Sequence, residues 1–344
     1  MGAEAHGVSL SAALLLVLTA DRCLSHRRLS MDVRRVAVAG TGMMGPGIAA
    51  TFALAGKEVV IVSRTADGAA KGVATAQGLI NKMVENALAD PAKSKAAQVR
   101  FTSSADPEGA AKSVQLFVES IAENLPIKQE YFARLDKAAP DTVLCSNTSG
   151  ISITEIAAHC RKPERVFTTH FWNPPYIMPL VEVVVGKRSD MQIAQEVVAL
   201  LKACDKVPVL VRKDVPGQLG NRIQHAMIRE CMHIVADGIA SAEDVDLAVK
   251  AGVGLRFPVY GVFEHADMVG LELVKAVQDY VVPDLSKVQG ASPIHNEKIA
   301  KGETGVKAGK GFLDWPHGKA EQVRVRRDAF IMEFLRLERA GKFK

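Results

Sequence analysis

Residues 36–39 (VAVA) run straight into Gly40-Thr41-Gly42-Met43-Met44-Gly45, and the chain then takes a helical pattern that ends near Gly56. A second apolar run, VVIV, follows at 59–62. This is a G-x-G-x-x-G turn in the one context where it carries structural meaning, between a short buried strand and a helix, with a second strand at the right distance. Gly40 permits the tight turn, Gly42 lets backbone amides approach a pyrophosphate, and Gly45 allows helix and strand to pack closely. Met43 and Met44 fill the variable positions of the same turn. The helix that follows presents unpaired N–H groups and a positive dipole end to phosphate oxygens. The chain is therefore expected to begin its fold with a dinucleotide-binding unit.

The end of the second strand departs from the usual pattern. A carboxylate commonly sits there to bind the ribose 2′-hydroxyl of NAD. Here the residues are Ser63, Arg64 and Thr65. Nothing repels a 2′-phosphate, and Arg64 can stack on an adenine and pair with that phosphate. NAD and NADP are both compatible on this chemistry, since Arg64 can equally well just cover the adenine face.

Further along, Ala- and Lys-rich helical segments span about 68–98. LFVE at 116–119, TVLCS at 142–146, VFTTH at 166–170, LVEVVV at 180–185 and residues 207–211 read as strands. Helices are expected at 126–137, 190–203 and 218–236. Strands alternating with helices imply an α/β fold with a mostly parallel sheet. Asp214-Val215-Pro216-Gly217 reads as a hinge, and the chain beyond it as helical. A length of 344 residues also suits two domains at roughly 150 residues each.

Composition narrows the class. With 48% apolar and 24% charged residues, intrinsic disorder is excluded. The five cysteines, at 23, 145, 160, 204 and 231, form no CxxC and match neither a disulfide framework nor a zinc signature. Reduced thiols in a cytoplasmic protein, with no metal, are expected. The apolar run at 10–20 is too short to span a bilayer and has no basic residue before it, so no membrane association is expected. Residues 1–30 are expected to be an extension outside the fold, with Met31 directly before the first strand.

His170 ends one strand and Glu182 lies in the next, twelve residues on. Phe171-Trp172-Asn173-Pro174-Pro175 can turn the chain so that the two side chains meet. A histidine paired with a carboxylate makes a general base whose imidazolium is stabilised. A histidine that merely satisfies a local hydrogen bond is the plainer alternative. His225 and His233 suit an interface or core role.

The segments SNTSGISITEIA (146–157), HFWNPPYIMPLVEVV (170–184), PGQLGNR (216–222) and KAGKGF (307–312), in this order after GTGMMG, resemble the L-3-hydroxyacyl-CoA dehydrogenase family over about 31–316. The resemblance implies a Rossmann domain at 31–214 and an all-helical domain at 215–316 that forms a homodimer. It places the catalytic pair on His170 and Glu182, with Ser149, Asn173 and Asn221 around the reacting oxygen and nicotinamide. Glu119, Asn124 and Lys307 fall on further cofactor-contacting positions. Ser149 has a second reading as the N-cap of a helix from Ile151, and Asn221 as a structural residue. The implied reaction is hydride transfer from C3 of a hydroxy substrate to a nicotinamide cofactor, in the setting of fatty acid metabolism.

The substrate signals are mixed. The more usual HFFNP of acyl-CoA members is HFWNP here, and Trp172 offers an aromatic wall to a substrate. NPPYIMPLVEV and GVGLR (252–256) resemble the lambda-crystallin (L-gulonate 3-dehydrogenase) and carnitine dehydrogenase branches, where Arg256 would fork a free carboxylate. FEHAD (263–267) and VGL (269–271) resemble the acyl-CoA branch. A 3-hydroxyacyl-CoA is the first expectation and a free 3-hydroxy acid the second. A non-catalytic, crystallin-like or cofactor-sensing protein is the alternative from another class.

The net charge of +5 does not call for nucleic acid as a partner. The body at 31–316 carries 32 basic and 32 acidic residues, so the excess sits at the ends. Residues 317–344 carry eight basic and four acidic residues and are expected to form an amphipathic helix packed on the body or on a second subunit.

Overall fold

The computed structural model describes residues 31–343. The extension expected over 1–30, with its apolar run and Cys23, lies outside the described residues.

Short valine-rich runs build one eight-stranded sheet in the order β3-β2-β1-β4-β5-β6-β7-β8. The strands are β1 (Arg35–Ala39), β2 (Glu58–Val62), β3 (Phe101–Ser104), β4 (Leu116–Glu119), β5 (Val143–Ser146), β6 (Val166–Phe171), β7 (Leu180–Val185) and β8 (Val207–Val211). The first six are mutually parallel, β7 pairs antiparallel to β6, and β8 runs parallel to β7. Helices cover both faces, so the central strands are apolar at successive positions rather than alternating. Successive residues serve opposite cores: Val36 and Val38 pack with Ile48 and Phe52 on one face, while Ala37 and Ala39 pack with Phe117 and Phe132 on the other.

The helices joining these strands are α1 (Gly45–Leu54), α2 (Ala66–Glu85), α3 (Pro91–Gln98), α4 (Pro107–Lys112), α5 (Leu125–Ala138), α6 (Ile153–Ile156) and α7 (Met191–Ala203). β3 and α4 escape a reading from periodicity. β3 is an edge strand of sequence FTSS with no buried residue, and α4 is only six residues long.

After the hinge come α8 (Gly220–Ala236), α9 (Ala242–Ala251), α10 (Val253–Arg256), α11 (Val262–Val269), α12 (Leu271–Val281) and α13 (Pro293–Ala300). None of these six helices contains a buried residue. Among the described residues, no helix is long and apolar enough to cross a membrane.

The final helix, α14 (Lys319–Arg339), returns to the sheet domain. Its Met332 and Leu335 are buried against Met83, Leu88, Tyr176 and Ile177. The Arg339 guanidinium donates to the Leu88 carbonyl and pairs with Asp205. Tyr176 and Ile177 belong to the turn between β6 and β7, so α14 reaches the underside of that turn. Lys206 supports the same turn: its Nζ donates to the carbonyls of Pro175 at 2.6 Å and Met178 at 3.0 Å. Burial pulls the Lys206 ammonium down to about 8.

Replacing Leu335 with alanine removes the better buried of the two contacts from α14. We expect a loss of about 2 kcal/mol in unfolding free energy, measured by urea titration, together with earlier proteolytic cleavage within 319–339.

Candidate active site

The glycine turn is built as a cradle. Gly40 has φ +107°, and a Cβ there would lie 2.2 Å from the Ser120 carbonyl oxygen. A Cβ on Gly45 would lie 1.8 Å from the Gly40 oxygen, so β1 and the start of α1 close to a distance that only glycine allows. At Gly42 nothing lies within 4 Å of where a Cβ would stand. Met44 precedes α1 without a side-chain cap, and no acidic residue occupies its first turn. The amides of that turn therefore stay available to an anion. The turn sits where the strand order reverses between β1 and β4, the position at which doubly wound sheets bind ligands. Open space at Gly42 and uncapped amides fit a dinucleotide pyrophosphate. Beyond β2, Arg64 is exposed with no ion-pair partner among the described residues, and Thr65 caps α2 through Gly68 N at 3.1 Å.

The β6–β7 register explains the next feature. His170 and Glu182 are directly opposite partners in the antiparallel pair, so their side chains emerge side by side. His170 Nδ1 lies 2.8 Å from Glu182 Oε2. Glu182 is fully buried, and His170 only 8% exposed. Burial pulls the Glu182 carboxyl upward. Donation from His170, then from the Gly220 amide, Trp172 and the Leu219 amide, outweighs this and holds it at about 2. An ionised carboxylate can only accept, so His170 donates from Nδ1, and Nε2 is the ring nitrogen left to meet a substrate. Trp172 does more than offer a wall: its Nε1 donates to Glu182 Oε2 at 3.0 Å.

A cavity of about 360 Å³ joins the two halves, lined by Met43, Met44, Glu123, Ser149, His170 and Asn173 among others. The glycine turn and the dyad thus share one space. Glu123 holds its rim. Its Oε1 accepts from Thr148 Oγ1 at 2.5 Å and from the Ser149 amide at 3.1 Å. Burial works against the charge on Glu123, but the Thr148 hydroxyl, Lys128 and the Ser149 amide keep its carboxyl below the ordinary range. Ser149 does not cap a helix; Ser152 caps α6 through Glu155 N at 3.2 Å. Asn221, in the first turn of α8, donates to the Ser149 carbonyl at 2.8 Å and ties the helical segment to this loop.

Four expected contacts stand elsewhere. Glu119 is wholly buried rather than facing a ligand: Oε1 takes Lys128 Nζ and the Ile121 amide, both at 2.6 Å, and Oε2 takes Ser146 Oγ at 2.7 Å. The Asn124 side chain is used as the N-cap of α5, accepting from Ile127 N at 3.1 Å. Lys307, in a 3₁₀ turn, and Arg256, ending α10, are exposed in the helical segment and do not line the cavity. Glu123, Lys128 and the two amides of residues 219 and 220 are the site groups that sequence reading missed. Only PGQLGNR hinted at the amides, and no pattern marks a buried lysine.

Comparisons with known proteins agree with this geometry. Residues 35–215 match the family described as 3-hydroxyacyl-CoA dehydrogenase, NAD binding domain, and residues 217–315 match 3-hydroxyacyl-CoA dehydrogenase, C-terminal domain. The chain is 33% identical over 299 residues to 5-formyl-3-hydroxy-2-methylpyridine 4-carboxylate 5-dehydrogenase of Mesorhizobium japonicum, covering 86% of this chain and 95% of that protein. It is 36% identical over 295 residues to human mitochondrial hydroxyacyl-coenzyme A dehydrogenase, covering 82% and 91%. The fold matches a crystal structure of a 5-formyl-3-hydroxy-2-methylpyridine 4-carboxylic acid 5-dehydrogenase, described as an NAD⁺-dependent dismutase. That match has a TM-score of 0.80 at 30% identity and covers 90% of this chain and 98% of that one. With both halves matched in order and the dyad formed, the chain belongs to the 3-hydroxyacyl-CoA dehydrogenase family.

Proposed function

We propose that the chain is an NAD-dependent dehydrogenase acting on the C3 hydroxyl of an L-3-hydroxy substrate, with a 3-hydroxyacyl-CoA as the first candidate. The observation that carries this reading is the His170–Glu182 pair, whose imidazole lines the same cavity as the glycine turn. Gly40, Gly42, Met43, Met44 and Gly45 would hold the dinucleotide, and NAD supplies the hydride acceptor. His170 accepts the substrate hydroxyl proton at Nε2, while Glu182 keeps Nδ1 protonated and stabilises the imidazolium. Ser149 and Asn173 line the same space and supply hydrogen bonds to the oxygen as it becomes a carbonyl. In the reverse direction the same groups return the proton.

A second reading has its own support. The Mesorhizobium relative is named for a free pyridine carboxylate and aligns with more of this chain than the human coenzyme A enzyme does. Arg256 stands outside the cavity lining but has no ion-pair partner among the described residues, and would serve the carboxylate of a substrate that extends beyond that lining.

The helical segment supports homodimerisation. Phe263 is 84% exposed, Met268 76% and Tyr280 86%, an apolar surface a second copy would cover. The four described cysteines are free, three of them buried. That state fits a cytoplasmic protein that keeps its thiols reduced.

The deciding measurement is a panel of 3-hydroxyacyl-CoA thioesters and free 3-hydroxy acids, run with NAD and with NADP. Turnover of a thioester with NAD supports the first reading. No turnover with any substrate despite cofactor binding favours a crystallin-like, non-catalytic protein. His170→Ala should lower kcat by roughly 100- to 10,000-fold and leave NADH fluorescence binding unchanged. Arg256→Ala should raise KM for a free acid about 10- to 100-fold and spare thioesters; equal effects on both classes would remove the carboxylate role. Met268→Glu should convert a dimer to a monomer in light scattering, and a wild type that is monomeric at high concentration overturns the dimer.

A further inference from the structure

Glu182 divides its two oxygens unevenly in kind. Oε1 accepts the amides of Leu219 and Gly220, each at 2.8 Å. Oε2 accepts two side chains, His170 Nδ1 at 2.8 Å and Trp172 Nε1 at 3.0 Å. The indole is tightly placed. Its ring lies 5.8 Å from the imidazole, centroid to centroid, and a Cβ on Gly220 would stand 2.4 Å from Trp172 Cζ2. Gly220 is thus the residue that makes room for the indole while its own amide binds the same carboxylate. A phenylalanine at 172 would occupy similar ring space without the N–H.

Two donors on one carboxylate oxygen compete for the same electron density, so each holds it less strongly than it would alone. We propose that Trp172 is a positioning residue that moderates the dyad: its indole N–H shares the oxygen that receives the imidazole proton and limits how firmly Glu182 stabilises the imidazolium. The catalytic meaning of this rests on the dehydrogenase reading, but the sharing itself does not. A moderated imidazolium releases its proton more readily, which keeps Nε2 free as a base to lower pH than an unshared dyad allows.

The charged groups on the segments around the dyad have partners of their own, none of them Trp172. Glu123 reaches the cavity from the segment between β4 and α5, with Lys128 3.4 Å from its second oxygen. Asp214, before α8, is engaged by the Ser152 hydroxyl and the Thr154 amide. Arg222, in α8, donates to the Pro216 carbonyl.

The test is an NMR titration of the His170 imidazole in wild type and in Trp172→Phe, without substrate or cofactor. The midpoint should rise in the variant by about half a unit or more; an unchanged or lower midpoint overturns the proposal. With a substrate that turns over, the acid limb of kcat/KM should move upward by the same amount in Trp172→Phe. If the variant does not fold, the wild type still decides. The chain has two tryptophans, so Trp315→Phe assigns the indole signals. The Trp172 indole proton should lie downfield and exchange slowly at neutral pH, and rapid exchange overturns the shared bond. Absence of turnover with every substrate would remove the dehydrogenase reading and leave both NMR outcomes standing on their own.

Discussion

A buried carboxylate without partners is among the most costly groups a protein can contain. Glu182 avoids that cost by accepting four hydrogen bonds from three parts of the chain: strand β6, the turn after it, and the entrance to α8. Each partner is constrained in return. The imidazole acquires a fixed tautomer, the indole a fixed plane, and the helical segment a fixed point of attachment. The dyad and the junction with the helical segment are therefore one polar knot, and disturbing either end of it disturbs the other.

A second buried pair does similar work beneath the cofactor crevice. Glu119 and Lys128 are both essentially inaccessible, and their contact ties the end of β4 to α5. Lys128 also reaches Glu123, which holds the loop bearing Thr148 and Ser149. The floor of the site is thus a chain of charge-assisted bonds from the sheet outward to the residue expected beside the reacting oxygen. Removing one member of such a chain leaves a buried charge unmatched.

What the sequence disclosed follows from what periodicity and spacing encode. The glycine turn was legible because backbone distances demand Gly40 and Gly45, while Gly42 leaves open space where a ligand would approach. The mostly parallel sheet was legible because doubly covered strands are continuous valine-rich runs. His170 and Glu182 were legible as a pair because a hairpin places them opposite each other. FTSS was not readable as β3, since an edge strand needs no apolar alternation. Glu119 was expected at the cofactor and instead serves the interior, because a motif position does not reveal which way a carboxylate turns. Trp172 was expected as a wall, and its hydrogen bond depends on the position of Gly220 forty-eight residues later in the chain. Long-range amide donors such as Leu219 and Gly220 leave no local trace at all.

The turn between β6 and β7 carries Trp172 and Asn173 on its upper side, rests its lower carbonyls on Lys206, and is closed underneath by Met332 and Leu335 of α14. Synthesis runs from the N-terminus, so α14 leaves the ribosome after every residue of the sheet domain that it packs against. The sheet can form while the underside of the β6–β7 turn is still bare. The turn gains its last support only when α14 has emerged and folded back across more than a hundred residues.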